Sequence, residues 1–163
     1  YASEQMVLDG ALDKYKVLVF LWGPYTEKSV LERIDAWVQK GGTVIMPRQH
    51  RGYMQTVEGD GSITGRWVGG QTGNGKVIVY HGDAIPPDFY AEFVGDELRK
   101  MQDLHPGIKD ALRMTRTPGV YWSVLESGKI AMLNFSNHPG TVRLAGAKAG
   151  APVSIPPYEI ALR

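Results

Sequence analysis

Two hydrophobic runs at residues 16–22 and 43–47 flank a segment whose apolar residues recur with helical spacing. Because the runs lack alternating polar positions, they predict strands buried on both faces, which is typical of a parallel sheet covered by helices. The strand–helix–strand unit therefore predicts an α/β fold with a mostly parallel sheet. The helix should bury one stripe and end at Gly41-Gly42; the stripe consists of Val30, Leu31, Ile34, Trp37 and Val38.

Residues 48–75 are rich in glycine, which predicts a long loop with a short hairpin around Gly59-Asp60-Gly61. Hydrophobic character returns at 76–81, which predicts another strand. Pro86-Pro87 then opens a predicted helix over 88–104, in which Gly95 is a weak point.

The pattern changes at Gly119, where short alternating runs separated by Gly, Asn and Pro begin. Such runs predict antiparallel strands joined by tight turns. We therefore expect an α/β domain over 1–118 and a small antiparallel β-domain over 119–163. The predicted strands of the second domain are 120–125, 129–135, 141–144, 153–155 and 159–162.

Composition excludes several classes of function. The 163 residues carry 18 basic and 17 acidic side chains, a net charge of +1, which gives no electrostatic reason to expect nucleic acid or a membrane surface as partner. No apolar run reaches membrane-spanning length. The chain has no cysteine, which rules out disulfides, thiolate nucleophiles and Cys-ligated zinc, and suits a bacterial cytoplasmic or secreted protein equally.

Two motifs match known patterns without the context that their chemistry needs. Residues 70–76, Gly-Gln-Thr-Gly-Asn-Gly-Lys, match the start of a phosphate-binding loop, but Val77 replaces the magnesium-binding hydroxyl and a strand follows instead of a helix. We interpret this segment as a glycine turn. Residues 134–136, Asn-Phe-Ser, form a glycosylation sequon at a predicted strand end, and we interpret it as a chance match.

Catalytic and metal sites are not evident. The predicted strand ends carry no Ser or Cys at a sharp turn, so a hydrolase triad is not expected. Carboxylates are numerous, but spacing alone pairs none of them as a glycosidase requires. The histidines lack the paired spacing of metal ligands, so we predict no metal and no cofactor; they are His50, His81, His105 and His138.

The best candidates for ligand or interface contacts follow predicted strands. Arg48-Gln49-His50-Arg51 is the densest polar cluster and follows the strand at 43–47. His81 and Asp83 follow the next strand, at the carboxyl edge where open α/β sheets bind ligands, or else they cap the next helix. Trp67, Tyr53 and Tyr25 lie in or near predicted loops, where aromatic rings stack on a sugar, cover the edge of the core or make an interdomain contact.

Several segments together resemble a known family. Residues 12–19 (L-D-K-Y-K-V-L-V), 37–45 (W-V-Q-K-G-G-T-V-I) and 75–80 (G-K-V-I-V-Y) are similar to the class I glutamine-amidotransferase-like, flavodoxin-type domain of multi-domain glycoside hydrolases. The nearest comparison is the trimerisation domain of family 42 β-galactosidases. Residues 130–136, 141–144 and 155–162 resemble the small C-terminal β-domain of many glycoside hydrolases.

The resemblance implies an accessory role. The nucleophilic cysteine of true amidotransferases has no counterpart, and the catalytic acid and nucleophile of such hydrolases lie in a separate barrel domain, so no catalytic residue carries over. The first strand and helix of the family's domain also have no counterpart, so the resemblance implies that the α/β domain over 1–118 is incomplete at its N-terminus. We therefore expect a non-catalytic portion of a larger glycoside hydrolase that packs against the upstream catalytic domain or forms a homo-oligomer. A carbohydrate-binding module that uses Trp67, Tyr53 and Arg48 is the alternative, and a small independent hydrolase built on His81 and Asp83 is a further one.

Overall fold

Three parallel strands form the centre of the first part of the chain. The computed structural model describes residues 3–20, 25–48, 55–82, 89–145 and 149–163. Strand β1 (Val17–Val19) pairs with β3 (Thr43–Pro47), which pairs with β5 (Lys76–Tyr80), and both pairings are parallel. A second, very short parallel pair joins β2 (Tyr25–Thr26) to β4 (Gln55–Thr56).

Helices cover one face of this sheet. They are α1 (Glu4–Leu8), a 3-10 helix (Ala11–Lys14), α2 (Lys28–Gln39) and α3 (Ser62–Val68). The predicted stripe of α2 is buried at every position and packs with Val44 and Met46 of β3. Tyr80, at the end of β5, meets the rings of Phe89 and Phe93 edge-on at 5.2 and 5.0 Å. Strand β3 is buried from Val44 to Pro47, as its hydrophobic run predicts. Strand β1 is only partly buried along its length, so the prediction of burial on both faces is wrong for it.

The C-terminal end of α2 is held unusually close to the sheet. Gly41 adopts a left-handed φ of 119°, and the amides of Gly41 and Gly42 bond the carbonyls of Val38 and Trp37 at 2.9 and 3.1 Å. This is a Schellman cap, as Gly41-Gly42 predicts. A Cβ on Gly42 would overlap the Trp37 ring, and one on Gly75 would overlap the carbonyl oxygens of Val38 and Gly42. The helix end, β3 and β5 therefore meet where no side chain fits.

Strands of the second part form two antiparallel sheets. It contains α4 (Gly95–Arg99), α5 (Pro106–Leu112), β6 (Thr115–Arg116), β7 (Val120–Val124), β8 (Ile130–Asn134), β9 (Gly140–Arg143), β10 (Val153–Ile155) and β11 (Ile160–Leu162). One sheet has the order β10-β9-β6 and the other β11-β8-β7. Their buried residues form one core, which Ala111 of α5 joins; the strand members are Val120, Ile130, Met132, Val142, Leu144 and Ile155. The α/β class with a parallel sheet and small antiparallel sheets is thus confirmed.

Two predictions of secondary structure are wrong. Residues 55–56 and 62–68 form β4 and α3 instead of loop, and β4 pairs with β2 and not within a hairpin. Burial of Ile63, Thr64 and Trp67 outweighs the low helix propensity of Gly65. The predicted helix over 88–104 is shorter, with a π-helix at Tyr90–Val94 and α4 after it. The sequence pattern also missed α5, which has Pro106 in its first turn and the His105 Nδ1 atom accepting the Gly107 amide at 3.1 Å.

The chain divides into two compact units, Tyr1–Val94 and Gly95–Arg163. The second unit therefore contains α4, α5 and β6 together with the other strands of the antiparallel sheets. The predicted domain boundary after Pro118 stays a prediction. No helix of the described residues has the length and apolar character needed to cross a bilayer.

The first testable prediction concerns Gly75. Because a methyl group there would overlap two carbonyl oxygens, Gly75→Ala must move α2 away from the sheet. We expect the unfolding free energy of the first unit to fall by about 2 kcal/mol or more. Urea denaturation followed by circular dichroism measures this change.

Gly65→Ala is the matched control. Gly65 lies inside α3, and a Cβ there would meet no atom within 4 Å. The substitution should be neutral or stabilise the unit by up to about 1 kcal/mol. Equal effects of the two substitutions would contradict the role assigned to Gly75.

Candidate functional site

Arg48 and His81 lie side by side at the carboxyl edge of the parallel sheet. Pro47 and Tyr80 are paired in register, and the Arg48 amide donates to the Tyr80 carbonyl at 2.7 Å. The side chains of Arg48 and His81 therefore leave adjacent strands, which are about 4.8 Å apart. Both are exposed. A guanidinium beside an imidazole can hold an anionic or hydroxyl-rich group.

Other predicted site residues lie outside the described part of the chain. These are Gln49, His50, Arg51 and Asp83, together with Tyr53. The structure thus brings together two members of the predicted polar edge, Arg48 and His81. Their role as ligand or interface residues stays a prediction.

Trp67 does not present a stacking surface. Its ring is only 2% exposed because α3 packs it against α2. Its indole Nε1 donates to Asp35 Oδ1 at 2.6 Å, and Arg66 Nη2 meets Asp35 Oδ2 at 2.7 Å. One carboxylate thus fixes two residues of α3. Of the interpretations given for Trp67, the structure supports burial in the core.

The second prediction tests this anchor. Asp35→Ala leaves the buried Trp67 N–H without an acceptor, and we expect a loss of about 1–3 kcal/mol in unfolding free energy. Asp35→Asn keeps an acceptor oxygen and should lose less. Urea titration of Trp fluorescence measures both, with Glu32→Ala, at an exposed position of α2, as the control. A loss in the control as large as that of Asp35→Ala would contradict the anchor.

The glycine segment 70–75 wraps the C-terminal end of α2. The Asn74 amide donates to the Gln39 carbonyl at 3.1 Å, and the Gln39 side chain donates to the Gln71 carbonyl at 3.3 Å. A helix C-terminus carries a partial negative charge, which repels phosphate. The segment is a packing turn, as interpreted from the sequence.

Glu58 and Asp60 have carboxyl groups that favour the charged form. Hydrogen bonds from the Ser62 amide and hydroxyl lower the pKa of Asp60, and the backbone amide of Glu58 with the Thr56 hydroxyl lowers the pKa of Glu58. A glycosidase acid needs a raised pKa, so these shifts run in the opposite direction. Both groups shape the turn before α3 instead of providing an acid.

Metal chemistry finds no support in the described residues. No group of three or more His, Asp or Glu side chains among them could hold an ion. His105, one of the dispersed histidines, caps α5 as described above.

Asn134 is a structural residue. Its side chain is wholly buried, and its Nδ2 donates to the carbonyls of His138, Ile155 and Pro156 at 2.7–3.1 Å. Its Oδ1 accepts from the Ser136 amide and hydroxyl at 3.1 and 2.7 Å. The folded sequon therefore offers no accessible amide, which agrees with its interpretation as a chance match.

The third prediction concerns Asn134. Asn134→Asp removes the N–H donor of three carbonyl groups, of which that of Ile155 is buried, and places a charge in the core, so we expect a loss of about 3 kcal/mol or more. Thermal unfolding of the second unit measures it. The exposed Asn137→Asp serves as the control, and a variant at Asn134 as stable as this control would contradict the assignment.

The outer side of the β11-β8-β7 sheet is apolar, a feature that sequence reasoning missed. Cross-strand rows place Tyr121, Leu133 and Ile160 together, with Leu162 in the next row. Phe135 and Tyr158 continue this surface, their rings edge-on at 6.3 Å. We call Tyr121, Leu133, Phe135, Tyr158, Ile160 and Leu162 the outer apolar face. The signal available in the sequence was that most residues on both sides of the predicted strands 120–125, 129–135 and 159–162 are apolar.

Comparison with known proteins gives a structural likeness only. No protein-family model matches the sequence, and no curated protein matches it. A crystal structure of apo exo-carrageenase GH42 from Bacteroides ovatus matches with a TM-score of 0.59 and 18% identity, over 99% of this chain and 23% of that one. The chain shares its fold with part of this GH42 enzyme.

Two further solved structures agree with this likeness. Gan42B, a GH42 β-galactosidase, matches with a TM-score of 0.59 and 14% identity over 95% of this chain and 32% of its own. A catalytic mutant of Gan42B from G. stearothermophilus matches with a TM-score of 0.55 and 14% identity over 91% and 31%. This chain thus spans about a quarter to a third of the length of the structures that it matches.

Proposed function

We propose that this chain is a non-catalytic accessory portion of a larger glycoside hydrolase, and that it mediates contacts between domains or between subunits. The observation that carries the proposal is the match of nearly the whole chain to less than a third of each GH42 enzyme. The resemblance of residues 12–19, 37–45 and 75–80 to the amidotransferase-like trimerisation domain supports the same role.

The chemistry of the described residues supports an accessory role. The sequence has no cysteine for amidotransferase chemistry, and the carboxyl groups of Glu58 and Asp60 favour the charged state. Arg48 and His81 form a polar edge suited to contact, without a described nucleophile beside them.

Carbohydrate binding is the competing function. The burial of Trp67 weighs against a binding site in which this ring stacks on a sugar. Two of its three proposed residues remain, Arg48 at the exposed sheet edge and Tyr53 outside the described part. Calorimetric titration with galactan and carrageenan oligosaccharides separates the two functions. Saturable heat that Arg48→Ala abolishes would favour the binding module and overturn the accessory proposal.

The fourth prediction tests the proposal directly. Antibodies against the chain should capture from its source a polypeptide well above 18.0 kDa that hydrolyses a β-galactoside or a related glycoside. The 163-residue chain alone should show no turnover of the same substrates. A native mass of 18.0 kDa, or turnover by the chain that His81→Ala abolishes, would overturn the proposal.

A further inference from the structure

The outer apolar face is a continuous exposed surface. Tyr121, Phe135 and Tyr158 are 60%, 67% and 64% exposed, and Ile160 and Leu162 are 66% and 54% exposed. Register places Tyr121, Ile160 and Leu162 on one side of three paired strands. The ring pair of Phe135 and Tyr158 adjoins them beyond the end of β8. Ser123 and Ala131, in the same row as Leu162, add no charge to this face.

The other sheet of the same unit has a polar outer face, which provides an internal comparison. Its outward positions pair Thr141 with Ser154 and Thr115 with Arg143, and all four are exposed. Both sheets bury their inner sides in one core. Because folding the sandwich does not require an apolar outer face, the face on β11-β8-β7 indicates a contact beyond the sandwich.

Tyr158 supports this conclusion independently. It has a φ of 59°, and the Glu159 amide closes a turn on the Pro156 carbonyl at 3.3 Å. Pro157 and Tyr158 occupy the central positions of this turn, and positive φ at the second of them normally selects Gly or Asn. A tyrosine in this strained position places its ring beside Phe135 on the outer apolar face.

The size of the face favours a tethered partner. Three aromatic rings at these exposures contribute roughly 400 Å², and the aliphatic side chains bring the total to roughly 600 Å². A stable complex between free proteins buries about 800 Å² on each partner. Contacts between domains of one chain are stable at smaller areas, because the linker keeps the effective concentration high.

We infer that the outer apolar face packs against an uncharged, apolar surface elsewhere in the same polypeptide. This inference rests on the proposed function, since it requires that the native polypeptide extend beyond the 163 residues. A sugar platform needs several polar groups placed among the rings, and the paired rows that make up the face carry only the hydroxyl groups of Tyr121 and Ser123.

The fifth prediction is tested by hydroxyl-radical footprinting of the native polypeptide and of the 163-residue chain. Oxidation of Tyr121, Phe135 and Tyr158 should be roughly fivefold slower in the native polypeptide, because docking removes most of their exposed surface. Met132, on the inner side of β8, should be slow in both samples and reports that the sandwich is folded. Equal oxidation of the three rings in the two samples would overturn the inference.

A matched pair of substitutions identifies the face responsible. In the native polypeptide, Ile160→Lys should restore fast oxidation of Tyr121, while Ser154→Lys, at an outward position of the other sheet, should not. In the 163-residue chain, Ile160→Lys should leave the urea midpoint unchanged, and Tyr158→Gly should keep or raise it by relieving the positive φ. Protection that survives Ile160→Lys would overturn the inference.

The outcomes separate failure of the inference from failure of the proposed function. A native mass of 18.0 kDa would overturn both the inference and the proposed function. A larger mass with Tyr121, Phe135 and Tyr158 unprotected would overturn the inference alone. Sedimentation of the 163-residue chain as a dimer that Ile160→Lys dissociates would assign the face to a second copy, and saturable binding of galactan oligosaccharides that Tyr121→Ala abolishes would assign it to sugar; either result overturns the inference.

Discussion

Close approach of helix α2 to the parallel sheet is the constraint on which the first unit depends. The helix carries the main buried stripe, and its Schellman cap turns the chain directly into β3. Gly42 and Gly75 leave the space that lets the helix end, β3 and β5 converge. The carboxyl ends of those same strands then present Arg48 and His81 together. Local backbone geometry at one end of the sheet thus sets the position of the polar edge at the other.

Regular periodicity made much of this fold predictable from sequence. The stripe of α2 and the short strands after Gly119 follow from spacing alone, since burial repeats at 3.6 or 2 residues. Helix α3 could not be predicted from spacing, because Gly61 and Gly65 are typical of a loop. Its stability comes from contact with α2, which the local sequence does not show. Helix α5 depends on His105 and Pro106 at its start, which are weak signals in one sequence.

Only the part of the candidate site that depends on strand order was predictable from the sequence. Arg48 and His81 could be expected together, because adjacent parallel strands end at one edge. Trp67 could not be placed, since its burial depends on a helix that was interpreted as loop and on Asp35 some thirty residues away. The outer apolar face was also hidden. Alternation assigns residues to the two sides of a strand. When both sides are apolar, it does not reveal which of them is exposed to solvent.

The buried Asn134 has a practical consequence for anyone who produces this protein. In a eukaryotic secretory host, the Asn-Phe-Ser sequon meets the glycosylation machinery while strand β8 is still unfolded and its amide is free. A glycan attached at that moment could not be accommodated where Asn134 binds the carbonyls of Ile155 and Pro156. The choice of expression host would therefore decide between native and misfolded material, although the folded molecule offers no glycosylation site there.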